Sequence, residues 1–477
     1  MKHIFTKVTA FILIAIFISA CNAVKRVPNG KFLLTKNEIF ENNKVISDET
    51  TFSQLYQKPN SKIAGIPLFL TFNNWAKPNI DSTFQAIQNP IATSPTDKPV
   101  NQKGKSFWQN GISNFLKKIG EPPVIFDPLK TDKSVLRLSY LYFNKGFFDV
   151  KIKSVFDTIG LKKGRVNYYI EPGVAYTIDS VSTEIATVVL DSLYQSTQSN
   201  SILKPGNRYR TEDFENEKNR ITTLFRNSGA YDFQPNNVSF DIDTIQKKNK
   251  ASVRLKIGDY NYQNQDVTVT EPFKLYKISD VRIFTDYSAA DAKATLTDST
   301  EYKNFKLVSR NKLKYKPFAI TNAVFITKGG YFSDTKTNLT SRYLSNLKIF
   351  NYPSIIYEQD KRDSTAQSLI AKIYLTPKKK YNFGQSLDVT HSNIQNIGIS
   401  FSPSISIRNV FNGAETLEFS GRANVGSSKD FANPNDVFFN ASELGVDLKL
   451  NFPRIVMPFA TEKIIPKSMI PSTLITT

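Results

Sequence analysis

The sequence predicts an α+β chain: small domains of mixed secondary structure in tandem, followed by a run of long antiparallel strands. Two observations carry this expectation. A ten-residue pattern starting at Leu141 recurs at Leu224, and from about Tyr381 the apolar residues switch to strict alternation. A third agrees with them: 36 Phe and 21 Tyr stand against 2 Trp, a balance that favours β structure.

The 477 residues allow roughly three domains, and 40% hydrophobic with 22% charged residues is ordinary for a folded chain. A single Cys excludes a disulfide framework and any multi-cysteine zinc site, and two His leave little for imidazole chemistry. The formal charge is +20. That charge reads either as attraction to anionic lipid headgroups or as a solvated lysine-rich surface, since the Lys and Arg are spread along the chain.

Residues 1–20 are expected to be a secretory signal. Lys2 and Lys7 open it, and the apolar run from Val8 to Ile18 is too short to span a bilayer as a helix. It ends Ile18-Ser19-Ala20-Cys21, small residues before a cysteine, which resembles a bacterial lipobox. On that reading Cys21 is the lipidation site and the new N-terminus and opens a linker over 21–26; an ordinary signal peptide with a chance Cys is the alternative. An exported chain has no expected nucleic-acid partner.

The repeat is Leu141-Tyr142-Phe143-Asn144-Lys145-Gly146-Phe147-Phe148-Asp149-Val150 against Leu224-Phe225-Arg226-Asn227-Ser228-Gly229-Ala230-Tyr231-Asp232-Phe233. Each copy closes a helical pattern. Val135, Leu138 and Leu141 share one face, with Thr131 or Asp132 as cap; Phe214, Ile221, Leu224 and Phe225 do the same, with Thr211 as cap. Gly146 and Gly229 fall where a helix ends on a left-handed residue. Alternating strands follow at Val166, Tyr168, Ile170 and at Val253, Leu255, Ile257. A looser third copy has its helix ending near Tyr343–Leu347 and a strand with Ala371, Ile373 and Leu375. Tyr176-Thr177-Ile178-Asp179-Ser180-Val181 and Tyr276-Lys277-Ile278-Ser279-Asp280-Val281 share Y-x-I-x-x-V, leading into the next unit. The unit order is strand, one or two helices, strand, strand, with sheet edges left available.

The first unit starts near Lys31-Phe32-Leu33-Leu34 and carries extra helical segments at about 61–76 and 104–120, the latter with Phe107, Trp108, Ile112 and Phe115. Gln88 to Asn101, with Pro90, Pro95 and Pro99, reads as an exposed loop. Core packing is the expected role of Trp75 and Trp108, membrane or partner contact the alternative.

After Tyr381 four strands are expected. One lies around Phe383, Leu387 and Val389. The others follow Ile399, Phe401, Ile405, Ile407; Leu417, Phe419, Ala423, Val425; and Leu444, Val446, Leu448, Leu450, Phe452, each alternating with polar residues. Long strands with one apolar and one polar face match the wall of a transmembrane β-barrel; an amphipathic sheet of a soluble sandwich is the other reading.

Catalytic patterns are weak. Gly104-Lys105-Ser106 lacks the earlier glycine of a phosphate loop, since position 99 is Pro99. His391 has no second His nearby. Asp149 and Asp232 follow glycines at turns, where Asp bonds its own backbone, and with Asn144 and Asn227 they read as structural. No catalytic, cofactor-binding or metal residues are assigned, and no cofactor is expected.

In this order the features resemble the POTRA-plus-barrel outer-membrane assembly proteins, the BamA and TamA superfamily. Arg408-Asn409-Val410-Phe411-Asn412-Gly413-Ala414-Glu415 is similar to the R-N-x-F-G-x-(A/G)-E turn between early barrel strands. The lipobox, the lead-in Val27–Leu34 and Ser61-Lys62-Ile63-Ala64-Gly65-Ile66-Pro67 look closest to its lipoprotein branch, called TamL. The resemblance implies tandem POTRA-like domains at 27–172 (enlarged), 173–271 and 272–378, then the first strands of an incomplete antiparallel transmembrane β-barrel at 379–477. It implies a non-enzymatic outer-membrane lipoprotein whose POTRA-like domains lie in the periplasm and hold extended clients at their sheet edges. The implied partners are client outer-membrane or secreted proteins, an inner-membrane assembly partner, and lipid through Cys21 and the barrel. A barrel of ~16 strands would need ~240 residues beyond Thr477, and the later V-R-G-F/Y motif is absent, so the barrel reads as truncated. A lipid-anchored periplasmic adaptor with a soluble C-terminal sandwich is the alternative.

Overall fold

A computed structural model describes residues 23–76, 114–245, 248–265, 267–288, 298–391, 395–428, 441–457, 465, 469 and 471–477. The chain divides into two compact units: residues 1–182 with 202–215 and 241–254, and residues 183–201 with 216–240 and 255–477.

The first unit begins with β1 (Leu33–Glu41), β2 (Lys44–Ile46), α1 (Glu49–Ser53), α2 (Leu68–Trp75), α3 (Pro128–Asn144), β3 (Lys151–Thr158) and β4 (Lys163–Glu171). The sheet runs β2-β1-β4-β3, with β1 parallel to β4 and the other neighbours antiparallel. Alternation on β4 turns Val166, Tyr168 and Ile170 inward, where they join Leu138 and Tyr142 of α3 in one core. The N-cap of α3 is Asp127, not Thr131 or Asp132: its carboxylate accepts the Leu129 N–H at 3.0 Å, and Pro128 is pre-set for the first helical position. The helix expected over 61–76 is confined to α2. Ala64 and Gly65 both take positive φ, which a right-handed helix cannot contain, so Ile63 and Ile66 bond each other across a turn instead. Of the second extra helix, residues 114–119 are helical; Phe107, Trp108 and Ile112, and the Gln88–Asn101 loop, lie outside the described residues.

The next sheet comprises β5 (Thr177–Ile185), β6 (Val238–Asp243) and β7 (Lys250–Ile257) in the order β5-β7-β6, and the division between units passes through its strands. Between β5 and β6 run α4 (Val188–Ser196) and α5 (Thr211–Asn227). Acidic Glu212 and Asp213 in the first turn of α5 and Arg226 in the last both favour the helix dipole. In the second unit Leu190, Tyr194, Ile221, Phe225, Leu255 and Ile257 form one buried cluster. A hairpin of β8 (Tyr260–Asn264) and β9 (Val267–Glu271) follows.

The second unit continues with β10 (Lys277–Phe284), β11 (Asp298–Tyr302), β12 (Phe305–Ser309), α6 (Pro317–Thr321), α7 (Asp334–Asn346), β13 (Ser354–Gln359) and β14 (Ser368–Tyr374). Its sheet order is β11-β12-β10-β14-β13. Val281, Ile283, Ile320, Leu344, Ala371 and Ile373 are fully buried in its core. Truncating one of these isoleucines to Ala costs about 2–5 kcal/mol.

The β11–β12 hairpin departs from the expected order of strand, helices, strand, strand. β12 lies outside β10 and β2 outside β1, while β5 ends its sheet and is met on its outer side, at its start, by residues 206–209 through the Thr177–Arg208 bridge.

Candidate functional site

The two copies of the repeated pattern build the same joint. Gly146 and Gly229 take φ of +83° and +114° and stop their helices. The Gly146 carbonyl then accepts the Tyr176 N–H at 2.8 Å, and the Gly229 carbonyl the Tyr276 N–H at 2.9 Å. Each of those tyrosines in turn accepts a backbone N–H from the approach to the next helix, Tyr209 at 2.8 Å and Phe332 at 2.9 Å. Asn144 accepts the Thr211 hydroxyl at 3.2 Å; Asn227 accepts the Ser333 hydroxyl at 2.8 Å and the Thr335 N–H at 2.9 Å. Asp149 accepts the Tyr176 hydroxyl at 3.4 Å, and burial together with a hydrogen bond to Asp232 pushes the Tyr276 hydroxyl well above its ordinary pKa. The Asp and Asn of the repeat are therefore structural, as expected, but the two Asp carboxylates meet the tyrosine that leads the following strand rather than serving only their own turn. The Y-x-I-x-x-V lead-in and the N-x-G-x-x-D pattern are the two halves of one socket.

The second joint has a reinforcement that the first lacks. The Arg226 guanidinium donates to both carboxylate oxygens of Asp334, to the carbonyls of Tyr231 (2.7 Å) and Phe233 (2.8 Å), and lies over the Phe332 ring. Sequence reasoning missed it, because the equivalent position of the first copy is Phe143 and repeat comparison therefore carries no signal.

The last sheet, also in the second unit, contains β15 (Tyr381–Thr390), β16 (Gln395–Arg408), β17 (Thr416–Ser428), β18 (Ala441–Phe452) and β19 (Thr473–Thr476), all antiparallel in sequence order. Its register lines the apolar residues into rows across the strands. One row is Tyr381, Ile407, Leu417, Leu450 and Ile475; another is Phe383, Ile405, Phe419 and Leu448; a third is Leu387, Phe401, Ala423 and Leu444. The opposite face carries Asn382, Ser406, Glu418 and Lys449 in one row and Asp388, Ser400, Asn424 and Glu443 in another. Arg422 pairs with Glu443 across that polar face at 3.0 Å. The apolar face is uncovered: Phe383 is 66% and Leu444 86% exposed. Leaving such a face in water is unfavourable by about 25 cal/mol per Å².

The Arg408–Glu415 turn joins β16 to β17. Glu415 is buried and its carboxylate accepts the Gly413 N–H at 2.8 Å and an Arg454 N–H at 2.7 Å. Burial opposes its ionisation, but the Arg454 and backbone donors outweigh that and hold its pKa below the ordinary value. A Cβ at Gly413 would lie 2.2 Å from the Glu415 carboxylate, so a larger residue there would displace that side chain from its Arg454 and backbone donors. The turn is fastened to the segment before α6: Asn409 donates to the Lys314 carbonyl at 2.9 Å and the Lys316 N–H to the Asn412 carbonyl at 2.6 Å.

Trp75 is 44% exposed and leans on Phe72, which corrects the expectation of core packing. It sits at the last residue of α2, where one side faces solvent. Trp108 and the predicted lipidation site Cys21 lie outside the described residues. Among the described residues no His, Cys, Asp and Glu cluster is placed to hold a metal ion, and no helix is long and apolar enough to cross a membrane, which says nothing about strands.

The sequence matches no protein-family model and no curated protein. Among solved structures, the chain is similar to the POTRA3–5 region of Haemophilus influenzae BamA, at 12% identity and a TM-score of 0.32, over 74% of this chain and 99% of that one. It is similar to BamA from Haemophilus ducreyi lacking POTRA domains 1–3, at 10% identity and a TM-score of 0.33, over 58% of this chain and 48% of that one. It is also similar to CdiB from Acinetobacter baumannii, at 8% identity and a TM-score of 0.25, over 59% and 51%. The chain thus spans about half the length of the latter two structures.

Proposed function

We propose that this chain assists the insertion or translocation of other proteins at the bacterial outer membrane, as a lipoprotein of the POTRA-plus-barrel kind. In this reading residues 27–172, 173–271 and 272–378 are POTRA-like domains in the periplasm, 379–477 are strands of the barrel wall, and acylated Cys21 is the anchor. Client outer-membrane or secreted proteins and an inner-membrane assembly partner are the protein partners.

The observation that carries the proposal is the continuous apolar face of the last sheet. Ile397 and Ile407 bound the band on β16, about 34 Å along the strand at ~3.4 Å per residue, or about 26 Å of height at a barrel-strand tilt of about 40°. A lipid-facing band is about 25 Å tall. Alternation alone is compatible with a soluble sandwich. What favours lipid is that the aligned apolar rows stay exposed on one side while the other side pairs charges, Arg422 with Glu443 and Lys449 with Glu418. Beyond the Thr177–Arg208 bridge, β5 is the last strand of its sheet among the described residues, which fits the client-holding role, since an extended segment can add to a sheet edge through main-chain hydrogen bonds without a required sequence.

The test is water-soluble maleimide labelling in intact outer membranes. Leu444→Cys should stay unreactive until detergent is added, whereas Asp447→Cys should label without detergent. Equal labelling of both in intact membranes refutes a lipid-facing wall.

A further inference from the structure

The second unit holds a cleft of about 620 Å³ beside the Arg408–Glu415 turn, at the end of the last sheet. Lys312, Lys314, Lys378, Lys380 and Arg408 line it, against one carboxylate, Asp286. That carboxylate is already engaged by the backbone N–H groups of Arg310, at 3.0 and 3.1 Å, and Asn311, at 3.4 Å. The four lysines are exposed and make no ion pair among the described residues. Arg408 is pinned at the strand base, donating from its side chain to the Lys379 carbonyl and from its backbone to the Lys380 carbonyl, both at 2.8 Å. Tyr315 also lines the cleft; burial and the nearby Asp286 charge push its hydroxyl up to about 12, so it remains a donor at neutral pH.

Five cations against one carboxylate make the cleft locally positive, and a concave positive site concentrates anions. The size selects a small ligand, since clefts of roughly 300–1,000 Å³ hold small molecules rather than folded partners. Four of the five cations are lysines, compact point charges that suit phosphate oxygens without demanding the planar match of a carboxylate. The location selects further. Lys380 and Arg408 directly follow the last apolar row, Tyr381 paired with Ile407. On the lipid-wall reading above, on which this placement rests, that is headgroup level.

We propose that this cleft binds a phosphate-bearing anion, with a glycerophospholipid headgroup and free phosphate as its two sources. The experiment uses the full chain in a neutral detergent. Binding of dihexanoyl phosphatidylglycerol, dihexanoyl phosphatidylcholine and inorganic phosphate is measured by titration calorimetry, each lipid kept below its micellar concentration. Phosphatidylglycerol should bind at least about tenfold more tightly than phosphatidylcholine, weaken as salt rises, and weaken at least about tenfold in Lys312→Gln/Lys378→Gln/Lys380→Gln. These lysines are exposed, so an unchanged melting curve should certify the fold of the variant. Binding of inorganic phosphate with the same lysine dependence, without phosphatidylglycerol binding, supports the site and assigns it to free phosphate. Equal affinity for both lipids, undiminished binding by the variant, or no binding of either anion overturns the proposal. Because soluble lipids need no bilayer, anion binding alongside failed protection of Leu444→Cys would reject the membrane placement and keep the site.

Discussion

Replacing Gly146 by Ala tests whether the first joint is a fitted socket. The added Cβ would stand 2.4 Å from the Tyr209 carbonyl oxygen, about 1 Å inside ordinary contact. That carbonyl cannot step aside cheaply, because the Tyr209 N–H is bonded to Tyr176, whose N–H is bonded to Gly146 itself. A non-glycine residue at φ +83° also carries a left-handed penalty of about 1–2 kcal/mol. Losing one of the two backbone hydrogen bonds adds about 0.5–1.5 kcal/mol, so the total is about 2–3 kcal/mol. Gly30→Ala is the matched control: its φ is +76° but a Cβ there meets nothing within 4 Å, leaving the backbone penalty alone. The assay is denaturant unfolding of both variants, with hydrogen exchange at the Tyr176 and Tyr209 amides. Gly146→Ala should lose about 1 kcal/mol more than Gly30→Ala and release both amides. Equal losses, with both amides still protected, would refute the socket.

In the second joint, a double-mutant cycle of Arg226→Ala and Asp334→Ala should give a coupling of about 1–2 kcal/mol, since the pair is bidentate but Asp334 is 38% exposed; a coupling near zero would make Arg226 a packing residue. Glu415→Ala should cost about 2 kcal/mol by leaving Arg454 and the Gly413 N–H without their acceptor, read from urea unfolding. The pKa of Glu415 is lowered on folding, so its contribution is present above the ordinary value of 4.5 and fades as pH falls through the lower folded value; the wild type should lose stability below about pH 4.5 by more than Glu415→Gln does. Phe419→Lys should weaken membrane association by about 2–4 kcal/mol while Ser420→Lys leaves it intact, measured by partition between membrane and urea-wash fractions. Cys21→Ser should abolish labelling by radioactive fatty acid, and unchanged labelling would reject the lipobox.

Local patterns were legible because they act through neighbours in sequence. The positive φ of Gly146 and Gly229 follows from helix stops, and the alternation of Ile399, Phe401, Ile405 and Ile407 follows from the two-residue period of a strand. Each correction arose where a distant or competing group intervened. Pro128 drew the start of α3 back to Asp127, and left-handed Ala64 and Gly65 cut short the helix expected before α2. Asp149 is expected to bond its own backbone, yet its carboxylate accepts the hydroxyl of a tyrosine 27 residues away.

The order of parts is legible along the chain: a helix-and-strand unit that recurs, and a terminal run of two-faced strands. Side-chain type and spacing are sufficient for this, because hydrophobic period is a property of neighbours in the chain. Only the folded chain shows that β2 lies outside β1 and β12 outside β10, that Arg226 reaches Asp334 108 residues away, and that apolar residues of separate strands meet in rows. Those outcomes depend on strand order, register and long-range pairing. A one-residue slip would break every row while leaving the sequence pattern unchanged.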